Sequence, residues 1–316
     1  MIDGEDTATV GAVNRKTRWH GAKHRGRVRV ASPKNKGDGA IPQILVMGAG
    51  GRIGRILRAC WPEGVARWQS RGAIETPGAV QLDPLADPGA LAGAAQGCDV
   101  VLCLSGAIPG RGANMRDNIA LARAAIAAAR AAGVPRVLLA SSAAVYGRAG
   151  GQLRETPDTE PVSDYGRAKL AMERLGAGLS CGGVTVTSLR LGNIVGVDAI
   201  VGGWRPGFTL DVFADGRTPR RSYIGPVTLA RVLRDLAGQG GLPPLLNLAT
   251  PAVIEMGDLL DCAGLAWHPR VPPPEAIAEV TLDVAPLQGY CPLTREEAQA
   301  QTMVDEWRGL KAAGWI

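Results

Sequence analysis

"IPQILVMGAGGRIGRILRACW", residues 41 to 61, decides the fold of this 316-residue chain. A short apolar run, a glycine-rich turn and a helix-like segment follow one another, which is the opening of a βαβ unit. Within the turn, Gly48, Gly51 and Gly54 stand at GxxGxxG spacing. Glycine lets the chain turn sharply and lets a diphosphate approach the helix N-terminus, where unpaired N–H groups and the helix dipole favour negative charge. A strand before and a helix after are the context such a motif needs. Gly48, Gly51, Arg52, Ile53 and Gly54 are therefore candidate dinucleotide-binding residues.

The same rhythm returns in "DVVLCLSG" (99–106), "RVLLASSAAVYG" (136–147), "VTVTSLRLG" (184–192) and "PLLNLAT" (244–250). Between the first two lies "NMRDNIALARAAIAAARAAGV", a helix former rich in alanine and ended by Gly133 and Pro135. Nearly continuous apolar strands alternating with helices predict an α/β fold, a doubly wound parallel sheet of Rossmann type covered on both faces. Ligands of such sheets bind at the carboxyl ends of the strands, which adds Leu104 and Ser105 to the cofactor candidates. After about Gly196 the rhythm weakens and Pro, Gly and Trp become frequent, as in "VGGWRPG" and "HPRVPPPEAIAEV". The expected organisation is a dinucleotide-binding domain over 41–195, with 222–250 returning to it. A small substrate lobe takes 196–221 and 251–316, and 1–40 forms a tail.

Charge and composition narrow the function classes. Of the net +6, five charges fall in residues 1–40, where nine Lys/Arg face four acids, and the remainder is nearly neutral. A basic fold surface for nucleic acid is not supported; a basic, apolar-poor tail is, read as a disordered extension, with a nucleic-acid or membrane-surface arm as the alternative. The tail lacks the apolar core of a signal peptide, and no run reaches the ~18 apolar residues of a membrane span. Six cysteines are scattered without a CxxC pair, as expected of reduced thiols in a cytoplasmic protein. With three histidines, two of them in the tail, a zinc site or a Ser-His-Asp triad has almost no material, and no metal is expected.

The second strand should end near "VARWQSRG" (65–72), where an NAD site normally places an acid for the ribose 2′-hydroxyl. No acid occurs between Glu63 and Glu75, and Arg71, or as second choice Arg67, could meet a 2′-phosphate. The cofactor is thus NADP or NAD, with NADP favoured. Asp83 is a candidate acceptor for the adenine amine, or else a turn residue before Pro84.

Tyr165 and Lys169 of "YGRAK" are four apart and share one helix face. Taken alone such a pair is an ordinary solvated face. A phenol of pKa ~10 is barely ionised near neutrality, and a neighbouring ammonium would lower it. Tyr165 could then exchange a proton with a substrate hydroxyl or carbonyl, Ser142 of "SSAAVYG" holding the same oxygen and Lys169 also reaching a nicotinamide ribose.

With "GAGGRIG", "ASSAAVYG", "ETPDTEPVSDYGRAKLAMERL" and "LRLGNIVG" in place, the chain resembles the extended short-chain dehydrogenase/reductase family, particularly its NAD(P)-dependent epimerase/dehydratase branch, from about Ile44 to the C-terminus. The resemblance implies that Ser142 is catalytic, Tyr165 the acid/base and Lys169 the ribose-binding lysine. It places Asn193 in the substrate pocket and Arg221 near a substrate diphosphate, and it implies a homodimer formed by the alanine-rich helix and the Tyr165 helix. Two departures stand out. Ala143-Ala144 replaces the Asp-Glu of family dehydratases, which disfavours elimination of water, and "RSYIGPVT" (221–228) replaces the family's "RDYIHVDD". The expected function is hydride transfer at a hydroxyl/carbonyl carbon of a sugar-like or other small-molecule substrate, a nucleotide-sugar among the candidates. The alternatives are a UDP-sugar 4-epimerase and a non-catalytic dinucleotide-sensing protein.

Overall fold

A computed structural model describes residues 42–108, 110 and 114–316. The tail over 1–40, and what was expected of it, lies outside the described residues. The first half runs β1 (Ile44–Met47), α1 (Arg52–Cys60), β2 (Ala66–Ser70), β3 (Ala79–Gln81), α2 (Pro88–Ala95), β4 (Val100–Cys103), α3 (Asp117–Ala132) and β5 (Arg136–Ser142). Next come β6 (Gln152–Leu153), α4 (Asp164–Leu179), β7 (Thr185–Leu191), β8 (Asn193–Ile194), β9 (Thr209–Asp211), β10 (Arg220–Ile224), α5 (Pro226–Gly238) and β11 (Leu245–Leu248). The chain closes with β12 (Val253–Glu255), α6 (Met256–Cys262), β13 (His268–Arg270), β14 (Glu279–Leu282), α7 (Ala285–Tyr290) and α8 (Ala300–Ala312).

The apolar runs become a seven-stranded parallel sheet in the order β11-β7-β5-β4-β1-β2-β3. Alternation along β1 assigns its faces. Ile44 and Val46 pack with Ile56 of α1 and Leu233 of α5, whereas Leu45 and Met47 pack with Leu91 of α2, Ile126 of α3 and Met172 of α4. All four strand residues are fully buried. The sheet is therefore doubly wound, and strand order reverses between β1 and β4, where their two following loops part to leave a crevice.

The short strands β12, β10, β14 and β6 form a second sheet, with β8 pairing β10, and β9 pairs β13. The segment between β8 and β9 has no helix, in keeping with its Gly and Pro content. The start of α5 has no acid in its first turn. The carboxylate of Glu306, on α8, arrives instead and accepts from Val227 N (2.8 Å), Thr228 N (3.1 Å) and the Thr228 hydroxyl (2.6 Å). Gly225 makes this possible, because a Cβ there would run into that carboxylate. Among the described residues no helix is long and apolar enough to cross a membrane, no acid/His/Cys group could hold a metal, and all six cysteines are free.

Candidate active site

The crevice forms where β1, β4 and β5 end. Gly48 leaves β1 at φ +85°, a left-handed conformation suited to glycine, and a Cβ on it would lie 2.8 Å from Ser105 N. Gly54 packs α1 against Ala49, whose backbone would lie 2.6 Å from a Cβ. Gly51 caps α1 with no side chain, and the first turn carries no acid. The N-terminal N–H groups of α1 thus face the crevice uncontested, a cradle that fits a dinucleotide diphosphate.

Two further loops frame this cradle. Leu104, Gly106 and Ile108 line the crevice, while Ser105 supports it from behind through its contact with Gly48. Arg71 follows directly on β2 and is exposed. Arg67 is engaged elsewhere, donating to the carbonyls of Ala94 and Gln96. Asp83 follows β3 closely and its Oδ1 accepts from Leu85 N (2.9 Å), the turn alternative. Neither Arg71 nor Asp83 lines the crevice itself; both lie at the same sheet edge, beyond the glycine turn.

Ser142 ends β5, and its Oγ accepts from Ala144 N (3.2 Å) to cap a single 3-10 turn over Ala143–Tyr146. On α4, Ser163 is the N-cap, accepting from Gly166 N (3.0 Å), which fixes the turn bearing Tyr165. Gly166 matters because a Cβ there would strike the Ala144 carbonyl. The "YG" pair therefore lets α4 press against the Ser142 turn, and Ser142 and Tyr165 line one crevice. Lys169, one helical turn on, is 4% exposed and donates from Nζ to Ala140 O at 2.7 Å. Its Nζ lies 5.7 Å from the Tyr165 ring centroid.

The electrostatics differ from the simple sequence argument. Burial pushes the Tyr165 phenol above its ordinary value, opposed by the Ser142 hydroxyl and by the charge of Arg52. Burial likewise brings Lys169 down to about 8, with Cys103 and Glu173 opposing. Arg52 also spans the crevice, NH1 donating to Val197 O at 2.6 Å.

Two buried groups behind the site escaped the sequence reading. Asn118 donates from Nδ2 to the carbonyls of Ala107 and Met115 (3.1 Å each), while its Oδ1 has no partner. It faces Lys169 across Gly106: a Cβ on that glycine would lie 2.6 Å from Asn118 Oδ1 and 3.1 Å from Lys169 Nζ. A polar residue in the apolar-facing register of an alanine-rich helix was the available signal. Glu173, one turn beyond Lys169, pairs with Arg190 of β7 (2.8 Å) and accepts from Ser141. No local spacing announces that pair.

On the substrate side, Asn193 lines the crevice and Arg221 does not. The guanidinium of Arg221 is committed to the carbonyls of Arg220, Ile277 and Ala278, which removes it from the anion-binding role the resemblance implied. The reason is local: β10 pairs β14, and the side chain closes over the strand entry.

Sheet, glycine cradle and strand-end crevice define a dinucleotide-binding α/β protein of the extended short-chain dehydrogenase/reductase type. The model of the NAD dependent epimerase/dehydratase family matches residues 44–203, and the chain belongs to that family of nicotinamide-dependent enzymes. Among solved structures, the Bordetella bronchiseptica enzyme WbmG in complex with NAD is similar at 21% identity and TM-score 0.70, over 88% of this chain and 96% of that one. A UDP-galactose 4-epimerase aligns at 22% identity and TM-score 0.62, covering 85% and 99%. DesIV (dTDP-glucose 4,6-dehydratase) from Streptomyces venezuelae, with NAD bound, aligns at 21% and 0.63, covering 86% and 98%. No curated protein matches the sequence.

Proposed function

We propose that the chain transfers hydride at a hydroxyl/carbonyl carbon of a sugar-like or other small substrate, with Tyr165 as acid/base. The carrying observation is that Ser142 and Tyr165 line the same crevice as the glycine cradle, with Lys169 buried directly behind. A bound nicotinamide dinucleotide supplies or accepts the hydride there. The N–H groups of Arg52 and Ile53, at the N-terminus of α1, would hold its diphosphate, and Lys169 its nicotinamide ribose. Tyr165 gives a proton to, or takes one from, the reacting oxygen, and Ser142 fixes that oxygen by a hydrogen bond. Neutral at physiological pH, the phenol is set to act as the acid in carbonyl reduction.

NADP is favoured over NAD, because no acid occurs between Glu63 and Glu75, around the end of β2, and Arg71 stands exposed there to meet a 2′-phosphate. Residues 41–195 with 222–250 carry the cofactor, and 196–221 with 251–316 the substrate. A homodimer through α3 and α4, in the cytoplasm, completes the proposal.

Epimerisation of a UDP-sugar is the competing reading. It is favoured by the named activity of the UDP-galactose 4-epimerase and by the nucleotide-sugar named for DesIV. It needs an anchor for a substrate diphosphate while the keto intermediate turns over, and Arg221 is spent on carbonyls. Reduction or oxidation without such an anchor is therefore placed first. Purified protein is incubated with UDP-glucose and UDP-galactose, and separately with NADPH and a panel of carbonyl compounds. Carbonyl reduction without interconversion of the sugars is expected; interconversion without added cofactor reverses the order.

A further inference from the structure

A buried ion pair behind the crevice takes no part in the chemistry above. Glu173 stands one helical turn beyond Lys169 on α4, so the two side chains share a face. Both residues are 4% exposed. The lysine donates to the Ala140 carbonyl (2.7 Å), and the next residue of β5, Ser141, donates its hydroxyl to Glu173. Two successive turns of α4 thus grip two successive residues of β5, directly before Ser142. Arg190, the register partner of Ser141 on β7, is fully buried and closes the other side of the carboxylate, Nε at 3.1 Å and Nη2 at 2.8 Å. Its guanidinium carbon also lies 4.8 Å from the centre of the Tyr146 ring, whose hydroxyl donates to Asn247 Oδ1 at 2.7 Å. Stability gives little reason for such a pair, since desolvation of two buried charges offsets most of their attraction. Its place beside Lys169 gives a better one.

We propose that Glu173 is a positioning residue for Lys169: fixed by Arg190 and Ser141, its carboxylate keeps the lysine in the ammonium form that holds the nicotinamide ribose. This rests on the reading of Lys169 as the residue that meets that ribose. An ammonium has three N–H donors, of which Ala140 O takes one and two remain for the ribose hydroxyls; the neutral amine leaves one. The other groups around the lysine do not hold the proton there. Cys103, at the end of β4, is buried and its thiol is pushed up to about 11, so it is neutral while Lys169, lowered to about 8, titrates. The Tyr165 phenol is raised by burial and is neutral as well. Asn118 of α3 is uncharged, and Arg52 and Arg190 are cations, which favour the neutral amine. Glu173 is the anion of the set.

Glu173→Gln removes the charge and leaves an acceptor for Ser141. It also leaves Arg190 buried without its anion, so Glu173→Gln/Arg190→Met is made beside it, a variant with no lone buried charge to unfold it. The NADPH and NADH affinities of the wild type, both variants and Lys169→Met are measured by fluorescence titration from pH 6 to pH 10. Wild-type affinity falls through about pH 8, where Lys169 loses its proton, and in Lys169→Met that inflection is gone. In both Glu173 variants the inflection moves down by about one pH unit, the low end for losing a neighbouring opposite charge, so binding matches the wild type at about pH 6 and is about fivefold weaker at about pH 8. An inflection left where the wild type has it, or a loss of affinity equal at every pH, overturns the proposal. So does a wild type that binds cofactor with no inflection near that pH, and in that case the cofactor site stands. Binding of neither cofactor at any pH removes both readings.

Discussion

Replacing Lys169 by methionine should make the cofactor-free protein more stable while removing its activity. Lys169 is 4% exposed, and burial lowers its ammonium from the ordinary lysine value of 10.5 to about 8. At about 1.4 kcal/mol per pH unit, folding disfavours the charged form by about 3 kcal/mol relative to the neutral amine. Methionine keeps the apolar stem and drops the charge, but leaves Ala140 O without the donor it now has at 2.7 Å. That loss costs about 1 kcal/mol. The net gain is about 2 kcal/mol, or roughly 4 °C in Tm for a domain of this size. The sign carries a pH signature. Between pH 8 and 10.5 the unfolded chain binds more protons at this site than the folded one, so the lysine's contribution to wild-type stability rises with pH. The advantage of Lys169→Met is full below pH 8 and mostly gone by pH 10. Thermal unfolding of both proteins at pH 7 and pH 10 measures it, with NADPH titration alongside to show the lost affinity. A lower Tm for the variant at pH 7, or a difference independent of pH, would refute the reasoning.

Other perturbations separate the roles assigned to the site. Tyr165→Phe should lower turnover by about a hundredfold or more with NADPH affinity unchanged, which steady-state kinetics and a fluorescence titration check together. Arg71→Ala should weaken NADPH about tenfold and NADH hardly at all; equal affinities of the wild type for the two cofactors would dispose of the 2′-phosphate assignment. Glu306→Ala strips the N-terminus of α5 of its carboxylate and should cost about 2 kcal/mol in urea unfolding, a loss absent if water caps the helix equally well.

What the sequence revealed and what it concealed follow from range. The glycine turn, the apolar strands and the Tyr165/Lys169 pair are local patterns, and each lies in the element expected of it. β3 (Ala79–Gln81) has no apolar run because it is a short, largely exposed edge strand. Glu306 capping α5, Glu173 pairing Arg190, and Tyr223 beside Asp198 join residues far apart in the chain, and no spacing rule connects them. Arg221 shows the opposite failure. Its place in a motif was visible, but the direction of its side chain depended on how β10 pairs with β14.

The central claim is that one nicotinamide lies between the glycine turn and the Ser142/Tyr165/Lys169 group. A crystal structure of the protein with NADPH tests it most directly. The account predicts the diphosphate on the N-terminus of α1 and the nicotinamide ribose within hydrogen-bond distance of Lys169 Nζ, with the nicotinamide ring facing Tyr165. A dinucleotide bound with its nicotinamide turned out of the crevice, or held away from Tyr165, would contradict it.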